Sequence, residues 1–139
     1  MLNEVRDPVH GFVLYDELER DLINSRPFQR LRRIKQLALT NLVYPGAVHT
    51  RFEHSLGVME VASQLFDTVV RKDGYALLEA LGIERESERE RLRRVLRVAA
   101  LLHDLGHPPF SHAPENLLPG GHEALTAKLI RDTEIEAKV

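Results

Sequence analysis

The chain has no cysteine and no tryptophan. Without cysteine there is no disulfide framework and no thiolate metal site, an absence that suits a reducing, cytoplasmic setting. Aromatic residues make up only 6% of the sequence, so single-stranded nucleic acid would find few surfaces to stack on. Charge of neither sign dominates. The formal net charge is −2, far from the basic balance of a protein that coats nucleic acid. No apolar run approaches the ~18 residues of a membrane-spanning helix. The start, Met1-Leu2-Asn3-Glu4-Val5-Arg6-Asp7, lacks the apolar stretch of a secretory signal. Neither a membrane nor a nucleic-acid partner is therefore expected. Internal repeats and low-complexity tracts are also missing. At 139 residues and 43% hydrophobic content, the chain reads as one domain, or part of one, with a real core.

Histidine is what the chain has in excess. There are seven, and five of them lie between His54 and His122. The most informative stretch is His103-Asp104-Leu105-Gly106-His107-Pro108-Pro109-Phe110-Ser111-His112, directly after the apolar run Val98-Ala99-Ala100-Leu101-Leu102. Burying a histidine and a carboxylate at the end of such a run costs free energy unless they are paired or bound to a cation. A metal would satisfy both. Imidazole and carboxylate are the usual ligands of Fe, Mn, Ni or Zn in an oxygen/nitrogen site. The chain also supplies an isolated His54 and a later His122-Glu123.

The pattern along the chain is mainly helical. Residues 1–16, punctuated by Pro8 and Gly11, read as an extended arm with a turn. Asp16 can cap a short helix over 17–24. Phe28, Leu31, Ile34 and Leu37 predict a helix from Pro27 to Leu39, with Ser25 as its cap. The other faces of that helix are basic, through Arg26, Arg30, Arg32, Arg33 and Lys35, and suit either solvent or an anion. Residues 40–50 read as a loop and 53–71 as a helix, with a break at Asp73-Gly74 and a short helix or loop over 75–82. Ser87 and Glu90 form a capping-box pattern for a helix running to Asp104. A Pro- and Gly-rich loop over 107–121 and a last helix over 122–131 complete the reading.

The ordered set Asp7-Pro8-Val9-His10-Gly11, Pro27-Phe28-Gln29-Arg30-Leu31-Arg32, Ile34-Lys35-Gln36-Leu37, Tyr44 to Val58, His103 to His112 and His122-Glu123 spans most of the chain. It resembles the deoxynucleoside triphosphate triphosphohydrolase (dNTPase) branch of the HD-domain superfamily, which includes the human sterile-alpha-motif/HD dNTPase and its bacterial relatives. The resemblance implies an all-α HD-domain helical bundle, incomplete here, with a short N-terminal extended arm. Residues 1–24 would form the arm and short helix, and 25–139 the helical core around a metal. It implies His54, His103 and Asp104 as ligands of one divalent transition metal (Fe, Mn, Ni or Zn), with Mg as a further ion carried by the nucleotide. It implies His107 and His122 at the catalytic centre, His122 being the better candidate to protonate the leaving 5′-oxygen. Glu115 would orient a catalytic histidine. Gln36, Arg51 and His112 would contact substrate.

The implied activity is metal-dependent hydrolysis of nucleotides, most specifically of dNTPs to deoxynucleoside and triphosphate, by a homo-oligomer. The family's site also uses a further Asp, from a helix beyond the His122-Glu123 segment. Asp132 and Glu134 follow His122 too soon to match it. The expectation is therefore the N-terminal portion of a longer HD domain. A catalytically incomplete module that binds metal or nucleotide as a regulator or scaffold is the alternative. Relatives regulated by a guanine nucleotide read it with an Asp where this chain has Asn24, although Gln29 and Arg32 match. For Arg51 an ion pair with Glu53 or another local acid is the alternative to a substrate contact.

Overall fold

The computed structural model describes residues 3–139 apart from 81, 84, 115, 116 and 118, and describes residues 73, 75 and 77 by backbone alone. The arm is a hairpin. Strand β1 (Asn3–Asp7) pairs antiparallel with β2 (Gly11–Tyr15), with Asn3 opposite Tyr15 and Asp7 opposite Gly11. The Asp7 carboxylate accepts from the N–H groups of Val9 and His10, both at 2.8 Å, and Gly11 takes the positive φ that closes the turn. Val13 points into the core, whereas Phe12 and Leu14 are exposed, the alternation of a half-buried strand.

Helix α1 (Glu17–Ile23) starts as its sequence predicts. Asp16 accepts from the Glu19 N–H and Glu19 accepts in return from the Asp16 N–H, a complete capping box. The next segment departs from expectation. The predicted helix over 27–39 is only α2 (Arg26–Gln29) followed by a 3-10 turn over Arg30–Arg33. The chain then extends at Ile34 (φ −110°, ψ 109°), and Lys35 bridges to Thr50. The spacing itself explains the difference. Apolar residues at steps of three match the 3.0 residues per turn of a 3-10 helix, but drift round an α-helix of 3.6. Phe28, Leu31 and Ile34 reach the core, and Leu37 is left exposed. Ser25 does not cap through its side chain. Its hydroxyl donates to the Leu22 carbonyl at 2.6 Å.

Helix α3 (Arg51–Ala80) runs without a break through Asp73-Gly74. Gly74 is buried beside Val70, and the unbroken helix carries Leu78 into the interior (4% exposed). That burial outweighs the ~1 kcal/mol that glycine costs in a helix. The helix ends where Gly82, at positive φ, donates to the Glu79 carbonyl (2.9 Å). Helix α4 (Glu86–Leu102) begins just ahead of the predicted Ser87 cap, with the Glu88 carboxylate accepting from the Arg85 N–H at 3.2 Å. Helix α5 (Gly121–Asp132) is the last element.

The core gathers Val13, Leu22, Phe28, Leu31, Phe52, Leu56, Met59, Val98, Leu101, Leu105 and Ile135; β1 and α5 pack against it through Val5 and through Leu129 and Ile130. A buried ion pair crosses it. Arg97 of α4 holds Glu19 of α1 through Nε–Oε1 (2.5 Å) and Nη2–Oε2 (2.9 Å), and also donates to Ser63 of α3 and the Leu14 carbonyl of β2. The architecture is all-helical with a two-stranded arm, as expected. Among the described residues no helix is long and apolar enough to cross a membrane.

Candidate metal centre

Two helix ends meet at the histidines. The first turn of α3 carries Arg51 and His54. Glu53 fixes that turn, its Oε2 accepting from Thr50 N–H (2.6 Å) and Thr50 Oγ1 (3.1 Å). With Glu53 so engaged, Arg51 turns inward instead of pairing with it. The far end of α4 supplies His103 and, in the following turn, Asp104. Leu101, Leu102 and Leu105 anchor this end in the core.

Gly106 lets α5 dock on that turn. A Cβ there would overlap the His122 carbonyl oxygen, Thr126 N and Thr126 Oγ1. The Gly106 N–H donates to Thr126 Oγ1 (2.8 Å), and that hydroxyl donates to the His103 carbonyl (3.3 Å). Arg30 reaches the other side of the turn and donates to the carbonyls of His107 (2.8 Å) and Leu105 (2.5 Å).

Asp104 is the centre of the cluster at 5% exposure. Its Oδ2 accepts from Arg51 Nη1 and lies 3.5 Å from His54 Nε2. Its Oδ1 lies 3.2 Å from His103 Nε2 and 3.4 Å from His107 Nε2. The donor atoms of His54, His103 and Asp104 all fall within 4.8 Å of one another. His103 Nδ1–H donates to the Ala100 carbonyl at 2.7 Å, which leaves the Nε2 lone pair facing Asp104. That is the tautomer a metal ligand needs. Burial lowers the pKa of His54 against the pull of Asp104, which favours the neutral, ligating form. The donor set fits a divalent cation.

A second cluster adjoins the first. His107, 1% exposed, stacks on His122 at 3.9 Å between ring centroids and meets His112 edge-on at 4.7 Å. Burial first, and then the Arg51 charge, push its pKa down to about 4, so it is neutral at ordinary pH. Arg51, 2% exposed, also donates to Ser111 Oγ, which in turn donates to the Gln36 carbonyl (3.1 Å). Phe110 and Ser111 both hold positive φ (66° and 59°), strain of about 1–3 kcal/mol each that is characteristic of functional loops.

The structure thus brings His54, His103, Asp104, Arg51 and His107 together, adds His112 and His122 through His107, and links Gln36 through Ser111. Arg51 faces Asp104 and Ser111 at depth. Glu115 lies outside the described residues. Glu134 is occupied elsewhere, accepting from the Arg26 N–H at 2.7 Å. Sequence reasoning assigned no role to Ser111 and placed Arg30 on a basic face for solvent or an anion, whereas it clamps the carbonyls of Leu105 and His107. Ser111 stood inside the motif, but nothing separated Arg30 from its basic neighbours.

The HD domain profile matches residues 51–139, from the first residue of α3 onward. An uncharacterised protein of Bacillus subtilis is 47% identical over 132 residues, 94% of this chain and 28% of its own length. A Dictyostelium discoideum protein named as a deoxynucleoside triphosphate triphosphohydrolase SAMHD1 homolog is 38% identical over 133 residues, 91% of this chain and 24% of its own. The crystal structure of a hypothetical protein from Aquifex aeolicus superposes with a TM-score of 0.74 at 44% identity, over 99% of this chain and 33% of that one. The chain therefore spans about a quarter to a third of the length of these relatives. With its histidines and Asp104 set at the ends of α3 and α4, the chain belongs to the HD-domain family.

Proposed function

We propose that the chain carries the metal centre of a phosphohydrolase acting on nucleotides, with dNTPs cleaved to deoxynucleoside and triphosphate. One observation carries this reading. A single buried carboxylate, Asp104, is ringed by His54, His103, His107 and Arg51. The likeness to a protein named as a dNTPase supports the substrate class.

In this reading His54, His103 and Asp104 hold the cation, for which Fe, Mn, Ni and Zn suit the nitrogen/oxygen set. Mg accompanies the nucleotide. A divalent ion held by these residues would supply Lewis acidity, polarising a phosphoryl oxygen and lowering the pKa of a water. Arg51 supplies fixed positive charge beside that position, in a site where burial strengthens it. His122 gives its proton to the leaving 5′-oxygen as a water oxygen bonds to the α-phosphorus and the phosphorus–oxygen bond to the sugar breaks. His107 stays neutral at the catalytic centre, buried between Asp104 and His122. Gln36 and His112 line the nucleotide's place, and Glu115 orients a histidine. Exposed apolar side chains such as Val9 (81%), Leu42 (76%) and Val43 (74%) support assembly as a homo-oligomer. The lack of cysteine supports a cytoplasmic setting.

The test is chromatographic detection of deoxynucleoside and triphosphate from each dNTP, with the protein and with His122→Gln. The reading expects equimolar products, and a loss on the order of 10²-fold or more in the variant. Metal bound without turnover of any nucleotide would overturn the hydrolase reading for this chain and favour the regulatory or scaffold alternative.

A further inference from the structure

We propose that His107, His112 and His122 form a second transition-metal site, beside the one centred on Asp104. Each offers one ring nitrogen, and these nitrogens lie within 4.8 Å of one another. His107 shows why a cation belongs there. Its Nε2 is turned to Asp104 Oδ1 at 3.4 Å, and its Nδ1 is buried without a hydrogen-bond partner among the described residues. With Nε2–H donating to the carboxylate, Nδ1 carries a lone pair shut away from water. Such an orphaned atom costs about 1–3 kcal/mol, and a metal bond would relieve it.

The three histidines stand on supports of different stiffness. His107 sits in the turn clamped by Arg30 and packed under α5. His122 lies in the first turn of α5. His112 is on the exposed loop and meets His122 edge-on at 5.5 Å. Swinging His112 inward and fanning His122 off the stack would bring the nitrogens to the roughly 3.3 Å that two ligands ~2.0 Å from a tetrahedral ion require. A set of three imidazoles selects Zn²⁺, Co²⁺, Ni²⁺ or Cu²⁺ over Mg²⁺ or Ca²⁺, and leaves a fourth position for water or an anion. Asp104 faces both clusters, since Oδ1 lies between His103 and His107. The functional consequence rests on the reading given under Proposed function. An ion here occupies His122, the residue assigned to proton transfer, together with its neighbours His107 and His112, so filling this site inhibits hydrolysis.

The test titrates metal-free protein with Co²⁺ alone, reading visible absorption and bound metal per chain, for the protein, His112→Ala and His103→Ala. Circular dichroism checks that each is folded; where one is not, His122→Ala replaces His112→Ala and His54→Ala replaces His103→Ala. The expected result is two equivalents for the protein. His112→Ala weakens one of them on the order of tenfold or more and changes its absorption band. His103→Ala removes the other. A single equivalent that responds to His112→Ala and not to His103→Ala upholds this site while sinking the Asp104 centre. Titrations of the protein and His112→Ala that coincide in stoichiometry and spectrum overturn the proposal.

Discussion

Asp104 holds its carboxylate at 5% exposure with Arg51 as its closest charge partner. Removing one member of a buried pair leaves the other uncompensated, which costs about 3–5 kcal/mol. Arg51→Met is therefore expected to destabilise the metal-free protein by about that much in denaturant unfolding. Added Zn²⁺ should recover a large share, because a cation on His54, His103 and Asp104 neutralises the same charge. Equal destabilisation with and without Zn²⁺ would show that the cation does not reach Asp104.

His107 adds a pH dependence of known sign. Its pKa falls from 6.5 to about 4 on folding, chiefly through burial. Between those values the unfolded chain binds a proton that the folded chain does not, so stability drops as pH falls. Urea midpoints of the metal-free protein should decline from about pH 6.5 toward pH 4, and His107→Gln should flatten that decline. At this scale the sequence was informative because residue type limits the chemistry. A buried carboxylate such as Asp104 at the end of an apolar helix has few stable fates other than a cation, whereas His103 beside it stays exposed. What it could not reveal was the partner of Arg51. Glu53 is two positions away, yet Thr50 takes it, and Asp104 lies 53 positions along.

At the scale of elements, the Asp16 cap marked α1, and apolar spacing marked a helix where its face is buried, as at Leu56 and Met59 of α3. It misled where the apolar steps are all three residues long, because 28–34 belong to a short helix and a 3-10 turn. It also placed a break at Gly74, where packing against Val70 and the burial of Leu78 keep α3 whole. Two contacts hold the turn after α4 against the 3-10 turn and against α5, and each gives a prediction. Arg30→Met removes two charge-assisted hydrogen bonds to the carbonyls of Leu105 and His107. Stability should fall by about 2–3 kcal/mol, with metal affinity weakened roughly tenfold by calorimetry. Unchanged affinity would mean that the turn keeps its shape without the clamp. Gly106→Ala forces a methyl group into the His122 carbonyl and Thr126. It should cost about 1–3 kcal/mol or more and separate His122 from His107, seen as a loss of amide protection in the first turn of α5. Protection equal to the parent's would contradict this docking.

Across the whole molecule, the hairpin, α1, α3 and α4 are tied by one buried cation, Arg97, which bonds Glu19, Ser63 and the Leu14 carbonyl. No sequence pattern marks that network, because its members lie 34 to 83 positions apart. The class of fold was readable from the absence of alternating strand patterns beyond the arm. The meeting of His54 with His103 and Asp104 was readable only through the motif order, since local spacing says nothing about which helix ends touch. The central claim is that these three residues make a metal centre. It is tested most directly by elemental analysis of protein purified without added metal, alongside Asp104→Ala purified the same way. The account predicts bound Fe, Mn, Ni or Zn in the protein and the loss of about one equivalent per chain in the variant. A variant that retains the full metal content would contradict it.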